Sequence, residues 1–186
     1  MKKSQLLKLS LTAILALAIC VPGFSYKVGG KDLVKNGEGP RSKWMMKVYW
    51  ATLWVPQELK GAGDTQIIDA DQPMAMDLYI TSGMITKDKL VNAIVEGLDQ
   101  SAKAGYPTSD KQAFMNLFNN VVVAEGDTYS QRYEPGKGLS VVYSTKAGQS
   151  KVLGIIKGIQ FKKAFFGIYL SSKPANETLK NKLLGK

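Results

Sequence analysis

The sequence predicts an α+β fold, an antiparallel sheet with a layer of helices packed on one of its faces. Strand patterns stand on both sides of a helical middle and two helical segments close the chain, unlike the regular strand–helix alternation of parallel sheets. Short glycine-containing turns separate the last three strands, which is typical of an antiparallel meander. With 186 residues, the chain is long enough for one domain with a sizeable core.

The first 25 residues have the composition of a secretory signal peptide. Lysines precede and interrupt a short apolar run, and a Pro-Gly pair and small residues then lead to a cleavage site after Ser25. The pattern predicts a leader at 1–25, one domain at 26–186, and a periplasmic or secreted mature protein without a membrane span. A retained N-terminal anchor and lipid attachment at Cys20 are the alternatives.

The elements follow from periodicity and from turn residues. Segment 43–55 is rich in β-branched and aromatic residues and predicts a long strand, and Met74–Ile80 alternates as a strand with one wet face does. Helices are predicted after a cap at Thr86 and after a cap at Thr108 or Ser109. The other predicted elements are a short helix or loop at 61–70, strands at 128–133, 139–145 and 151–156, and helices at 161–170 and 175–184.

The composition excludes several kinds of site. The chain has no histidine, and its single cysteine lies in the predicted leader, so Ser-His and Cys-His nucleophiles and histidine-bound metals are excluded. We expect no metal site and no cofactor. The net charge of +10 is scattered along the chain without a basic run interleaved with aromatic residues, so we expect no nucleic-acid partner.

The strand at 43–55 presents a candidate binding site. Side chains alternate along a strand, so Lys47 and Tyr49 share one face, and Arg41 joins them if the extended backbone starts early enough. Arg41 is one of two arginines in a chain that otherwise uses lysine, and its planar fork suits a carboxylate. These three residues predict a site for an anionic head group whose apolar body lies in a cleft. In the alternative interpretation, Arg41 makes an ion pair on the surface, Lys47 extends to solvent at an edge, and the apolar residues of the strand are ordinary core packing.

Three segments together resemble a known family. They are GEGPRSKWMMKVYWATLWVPQ, the helix ITKDKLVNAIVEGL, and a tail that contains EPGKGLSVVYSTKAG and LGIIKGIQFKKAFFGIYLSSKPANETLKNKLLG. Their order and spacing are similar to those of the chalcone isomerase-like domain of exported bacterial proteins, over about 28–185. The resemblance implies an open-faced β-sandwich, a large antiparallel sheet with a helical layer on one face.

The resemblance also implies roles for individual residues. The arginine of this segment positions the substrate in plant chalcone isomerases and holds the carboxylate in fatty-acid-binding relatives, and Arg41 matches it. A threonine of the catalytic members falls at Tyr49. Their helix tyrosine falls near Lys89 or Leu90 and their helix asparagine near Glu96, so neither residue type is kept.

These departures favour binding over catalysis, because an arginine and a tyrosine alone supply little that is specific to an enolate-like transition state. We expect an exported, non-catalytic protein that binds a fatty-acid-like amphipathic anion through Arg41, Lys47 and Tyr49, without catalytic residues. Two alternatives remain at this stage, an isomerase of the chalcone isomerase type and a structural or interaction module of the cell envelope.

Overall fold

A computed structural model describes residues 26–43 and 46–186, so the predicted leader at 1–25 lies outside the described residues, as does the pair at 44–45. Within the described residues, seven strands form one antiparallel sheet in which each strand pairs with the next along the chain. The predicted α+β class with an antiparallel meander is confirmed. The strands are β1 (Tyr26–Val28), β2 (Lys31–Lys43), β3 (Met46–Pro56), β4 (Met74–Ile80), β5 (Thr128–Glu134), β6 (Gly138–Ser144) and β7 (Ser150–Ile156), and the helices are α1 (Asp64–Asp69), α2 (Lys87–Lys103), α3 (Lys111–Asn116), α4 (Ile159–Leu170) and α5 (Glu177–Leu183).

One face of the sheet, the inner face, is covered by the helices and carries the main core. The alternation predicted for β4 is confirmed, since its even-numbered side chains are buried there and Tyr79 is exposed on the opposite, outer face. Each fully buried leucine, isoleucine or methionine contributes about 1.5–3 kcal/mol of hydrophobic free energy. The inner face is lined by Tyr49, Ala51, Leu53 and Val55 of β3 and by Met74, Met76, Leu78 and Ile80 of β4.

Helix α4 is the central helix of the layer and is apolar almost all round. Within 161–170, Lys163 alone is not buried. A helix with this pattern belongs in a core, and α2 packs closely on it, because a Cβ on Gly97 would stand only 2.5 Å from Ile168 Cγ2. None of the helices in the described part of the chain is long and apolar enough to cross a membrane.

Strand β2 was not predicted, because residues that strands usually avoid interrupt it. Pro40 fits because β1 pairs only with Lys31–Leu33, which leaves the rest of β2 at the edge of the described sheet. Gly37 and Gly39 fit because α5 lies on them. A Cβ on Gly37 would stand 2.1 Å from the Lys182 carbonyl oxygen, and a Cβ on Gly39 would stand 2.7 Å from Lys182 Cδ. The two glycines thus let the last helix contact the strand that carries the candidate arginine.

The two predicted helix starts had different outcomes. The Thr86 hydroxyl accepts a hydrogen bond from the Lys89 N–H, which confirms the cap of α2. The prediction of Thr108 or Ser109 as the cap of α3 was wrong, since the helix begins after Asp110. The Thr108 hydroxyl instead accepts the Asp110 N–H in a turn that precedes the helix.

The second arginine lies on the outer face in a closed network. Tyr26 of β1 stacks on Trp54 with ring centroids 4.8 Å apart, and both donate hydrogen bonds of 2.9 Å to the Asp77 carboxylate. The Arg132 Nε donates to the Tyr26 hydroxyl at 3.1 Å, and its guanidinium lies over the Tyr26 ring. Burial, followed by the charge of Asp77, raises the pKa of Tyr26 to about 12. Arg132 is therefore engaged in contacts that hold β1 on the sheet.

Candidate functional site

The candidate site begins with a cross-strand pair on the inner face. Arg41 of β2 lies directly opposite Tyr49 of β3 in the antiparallel register. Side chains paired in this way stand about 5 Å apart at Cβ and point to the same face. Arg41 is half-buried and Tyr49 is 6% exposed. The structure therefore brings together two of the three residues predicted from the sequence.

A third polar group, which the sequence analysis missed, reaches this pair from α4. Tyr169 is 2% exposed, and its hydroxyl neighbours Tyr49 without making a well-formed hydrogen bond to any described residue. Burial raises the pKa of Tyr169 well above its ordinary value, the neighbouring Tyr49 raises it further, and the charge of Arg41 opposes the rise. Burial also raises the pKa of Tyr49, and Arg41 and Tyr169 partly offset that rise. Both tyrosines are therefore neutral at pH 7.

The donor cluster, defined as Arg41, Tyr49 and Tyr169, contains N–H and O–H donors but no carboxylate to accept from them. None of the ion pairs among the described residues involves Arg41. No carboxylate contributes to the pKa shift of either tyrosine. A guanidinium has five N–H donors and no acceptor, and two parallel bonds to a carboxylate are its preferred geometry. A half-buried arginine between two neutral tyrosines is suited to bind a carboxylate or another small anion.

The structure does not bring Lys47 to the donor cluster. The register shifts at this point, where Arg41 pairs with Tyr49 and Ser42 pairs with Lys47, so Val48 is an extra residue in β3. A β-bulge of this kind breaks the strict alternation of side chains. Val48 packs on the main core and the Lys47 side chain is exposed. A role for Lys47 in binding stays a prediction.

The inner face beyond the donor cluster is packed by the chain's own side chains. Ala51 and Leu78 follow on the sheet and are fully buried. In the helical layer, the fully buried Phe165 of α4 has its ring centroid 5.7 Å from that of Tyr169, and it also contacts Phe166. Among these residues Ala51 has the smallest side chain. The cleft predicted beside Arg41 is thus occupied by side chains in this structure.

A groove of about 330 Å³ lies elsewhere, between α2 and α3. Asn92, Gln112 and Asn116 are exposed at its rim, and Val91 and Phe118 are buried beneath them. The side-chain amide of Gln112 already donates to Asn116 at 2.9 Å. The groove contains none of the residues predicted to bind a ligand.

At the other end of α4 lies a buried cation that the sequence analysis also missed. Lys162 is 0% exposed, and its Nζ donates to the carbonyl oxygens of Ile67, Ile68 and Ala70 at 2.8, 2.7 and 2.8 Å. Burial lowers its pKa to about 7. The only signal in the sequence is a lysine within an otherwise apolar helix, which is a place where a lysine needs partners.

The positions on α2 that the resemblance assigns to the catalytic tyrosine and asparagine carry no such groups. Lys89 and Glu96 are exposed, and Leu90 is part of the main core. The described residues also contain no group of three or more acidic residues that could hold a metal ion.

The chain was compared with known families and structures. The model of the family described as chalcone isomerase-like matches residues 21–185. The crystal structure of an Arabidopsis thaliana fatty-acid binding protein matches the fold with a TM-score of 0.62 and 17% sequence identity, over 82% of this chain and 86% of that chain. No curated protein matches the sequence. The open-faced arrangement that the resemblance implied, a curled antiparallel sheet under one helical layer, is confirmed by this match.

Proposed function

Because the chain belongs to the chalcone isomerase-like family, we propose that it uses this fold to bind an amphipathic carboxylate such as a fatty acid. The observation that carries the proposal is the donor cluster, in which half-buried Arg41 has no carboxylate partner in the described chain and the buried Tyr169 hydroxyl makes no well-formed hydrogen bond. The fold neighbour is named as a fatty-acid binding protein, which supports this class of ligand.

The head group binds through hydrogen bonds that the donor cluster leaves unused. A carboxylate accepts two bonds from the Arg41 guanidinium and one from the Tyr169 hydroxyl, and Tyr49 fixes the position of the arginine from the opposite strand. Charge-assisted hydrogen bonds contribute about 1.5–3 kcal/mol each, and they are strongest where water is excluded. Exposed Lys47 adds at most a long-range attraction, which salt screens.

The apolar tail lies between α4 and the inner face. It passes over Ala51, the smallest side chain next to Tyr49 on the inner face of β3, and it displaces the Phe165 ring from its contact with Tyr169. Rotation of an aromatic side chain is a smaller rearrangement than separation of a helix from a sheet. The tail gains the hydrophobic free energy of transfer out of water, roughly 0.8 kcal/mol per CH₂ group.

The proposal includes export of the protein to the periplasm or the outside of the cell. It rests on the leader-like composition of residues 1–25, which are outside the described part of the chain. Sequencing the N-terminus of the protein recovered outside the cytoplasm tests this point, and a protein that keeps residues 1–25 contradicts it.

Binding without isomerisation fits the surroundings of the donor cluster. Cyclisation of a chalcone needs donors that strengthen as negative charge develops on the enolate. Exposed Lys89, buried Leu90 and exposed Glu96 stand where the catalytic relatives have a tyrosine and an asparagine. We expect chalcones to cyclise no faster with the protein than in buffer, and a clear acceleration that Tyr49→Phe removes would restore the isomerase alternative.

The head-group assignment is tested with matched ligands and matched variants. Calorimetric titration compares dodecanoate with dodecanol, which has the same tail and no charge. Wild type is expected to prefer the acid by at least ~30-fold, because the charged hydrogen bonds to Arg41 exist only with the acid. Arg41→Met should remove this preference and leave the alcohol affinity unchanged.

The other arginine supplies the control. Arg132→Met changes the chain's net charge by the same amount on the outer face, so it should retain the acid preference. Lys47→Met should weaken acid binding by no more than about threefold and only at low salt. Equal binding of acid and alcohol to wild type, or an unchanged acid preference in Arg41→Met, would overturn the proposal.

A further inference from the structure

One buried polar side chain on the inner face lacks any partner. Gln131 of β5 is 0% exposed, and neither its amide nitrogen nor its amide oxygen makes a hydrogen bond within the described residues. It lies opposite Met76 of β4 and Val141 of β6, in the middle of the sheet. An amide with two donors and an acceptor is therefore flanked on both neighbouring strands by apolar side chains.

An unpartnered amide at this position calls for a partner outside the chain. Buried side-chain amides are nearly always hydrogen-bonded, because they lose their bonds to water on burial. Packing alone would be served better by a methionine or a leucine of similar size. Two kinds of partner can satisfy Gln131, a buried water molecule or a polar group on a ligand.

Helix α4 connects Gln131 to the donor cluster. Near the end of the helix Tyr169 neighbours Tyr49, and near its start the Lys162 Nζ lies 5.7 Å from the centroid of the Tyr133 ring. Gln131 is two residues before Tyr133 on the same face of β5, so it faces the helical layer roughly 7 Å along the strand from Tyr133. The tail that the proposed function places between α4 and the sheet would therefore run toward Gln131, and it would displace side chains that pack there in this structure.

The register of the sheet fixes the distance. Gln131 pairs with Met76, Met76 pairs with Leu53, and Leu53 is four residues beyond Tyr49 in β3. At about 3.3 Å per residue and about 4.8 Å between strands, Gln131 lies ~13 Å along the strands and ~10 Å across them from Tyr49. A long acyl tail held at the donor cluster covers this distance, whereas a short acid does not.

We propose that Gln131 binds a hydroxyl group on the tail of the bound acid, so that the ligand is a long-chain hydroxy acid whose hydroxyl is remote from its carboxylate. This inference rests on the proposed function and names the ligand class for the same site. A hydroxyl donates to the amide oxygen and accepts from the amide nitrogen at once, whereas an oxo group satisfies the nitrogen alone. The matched donor and acceptor of Gln131 therefore select a hydroxyl.

The test compares hexadecanoate with isomers that carry one hydroxyl next to the carboxylate, at mid-chain, or near the far end. Wild type is expected to bind one of the remote isomers at least ~10-fold more tightly than hexadecanoate, and the isomer with the hydroxyl next to the carboxylate no more tightly. Gln131→Met keeps the size of the side chain and removes both polar atoms. The variant should reverse the preference for the remote isomer and should change hexadecanoate affinity by less than about threefold.

Each outcome bears on one claim. If wild type binds none of the acids, the proposed function fails and this inference fails with it. If all the acids bind wild type equally, or if Gln131→Met retains the preference, the inference fails while the proposed function stands, and the partner of the amide is then a buried water. Thermal unfolding of the unliganded variant checks that it folds, since removal of the unpartnered amide should raise its melting temperature.

Discussion

Two cations reach the space between the sheet and the helices, one at each end of α4, and their surroundings are opposite. Lys162 is fully buried, and three carbonyl oxygens accept its hydrogen bonds. Arg41 is half-buried, and its neighbours are the neutral tyrosines Tyr49 and Tyr169. The three N–H donors of Lys162 have three carbonyl acceptors, whereas the Arg41 guanidinium has N–H donors without an acceptor carboxylate in the described chain.

The contrast separates structural from binding residues. A buried charge whose bonds are all made inside the chain stabilises the fold, and its removal leaves its partners unsatisfied. A charge whose bonds are not made inside the chain contributes little to the fold and is free to bind a ligand. Lys162 ties the carbonyl end of α1 to α4, so this end of α4 is held in place independently of the other end, which carries Tyr169.

The largest expected effect is the loss of the lysine. Lys162→Met should lower the free energy of unfolding by roughly 3 kcal/mol, because three buried carbonyls lose their donor. Urea unfolding measures this change. The adjacent Lys163→Met is the matched control, since Lys163 makes one partly exposed ion pair with Asp69, and it should cost less than about 1 kcal/mol. Equal effects of the two substitutions would contradict the structural role of Lys162.

The next effect is the pH dependence of the difference in free energy of unfolding between wild type and Lys162→Met. Burial lowers the pKa of Lys162 from 10.5 to about 7, so above pH 7 the unfolded chain binds a proton that the folded chain releases. The free energy of unfolding therefore rises with pH in this interval. The advantage of wild type over Lys162→Met should grow by up to ~1.4 kcal/mol per unit between about pH 7 and pH 9. A flat difference in urea unfolding would mean that the three carbonyls keep Lys162 charged.

A third comparison removes a tyrosine hydroxyl near each end of α4, that of Tyr133 on β5 and that of Tyr169 on α4 itself. The buried Tyr133 hydroxyl donates to the Asp71 carboxylate, whereas the buried Tyr169 hydroxyl has no partner in the described chain. Tyr133→Phe should cost about 1 kcal/mol, and Tyr169→Phe should stabilise the unliganded protein by up to ~1 kcal/mol. Thermal unfolding of the two variants measures the sign, and destabilisation by Tyr169→Phe would indicate that its hydroxyl is bonded inside the fold.

The smallest expected effect is the loss of the arginine in the absence of ligand. Arg41→Met should change the free energy of unfolding by less than about 0.5 kcal/mol, because no described carboxylate loses a partner. Dodecanoate at one fixed concentration should then raise the melting temperature of wild type more than that of Arg41→Met, because the variant binds the acid through its tail alone. A large loss of stability without ligand would place Arg41 among the structural residues together with Lys162.

Local signals account for the part of the fold that was predicted. Alternation over Met74–Ile80 and glycine turns between the last strands depend only on near neighbours, and the structure has strands at those positions. Strand β2 was missed because Gly37 and Gly39 are explained by α5, which lies at the opposite end of the chain. Local propensity cannot report a contact of that kind.

The same limit applies to the donor cluster. Strand parity was enough to place Arg41 and Tyr49 on one face, and the register pairs them directly. Strand parity did not reveal the bulge at Val48, which lies between Lys47 and Tyr49 and breaks the alternation of side chains. The Lys47 side chain is exposed as a result. Tyr169 was missed because α4 is apolar almost all round, so its sequence has no amphipathic periodicity that would show which side chains face the sheet.

The contact between α5 and β2 has a consequence for the order of events during synthesis. Asn36 donates from its side-chain amide to the Leu183 carbonyl oxygen, across a separation of 147 residues. Closing so long a loop makes this contact late to form. The strand that carries Arg41 is therefore clamped only after α5 has been synthesised, so the surroundings of Arg41 are completed late in folding.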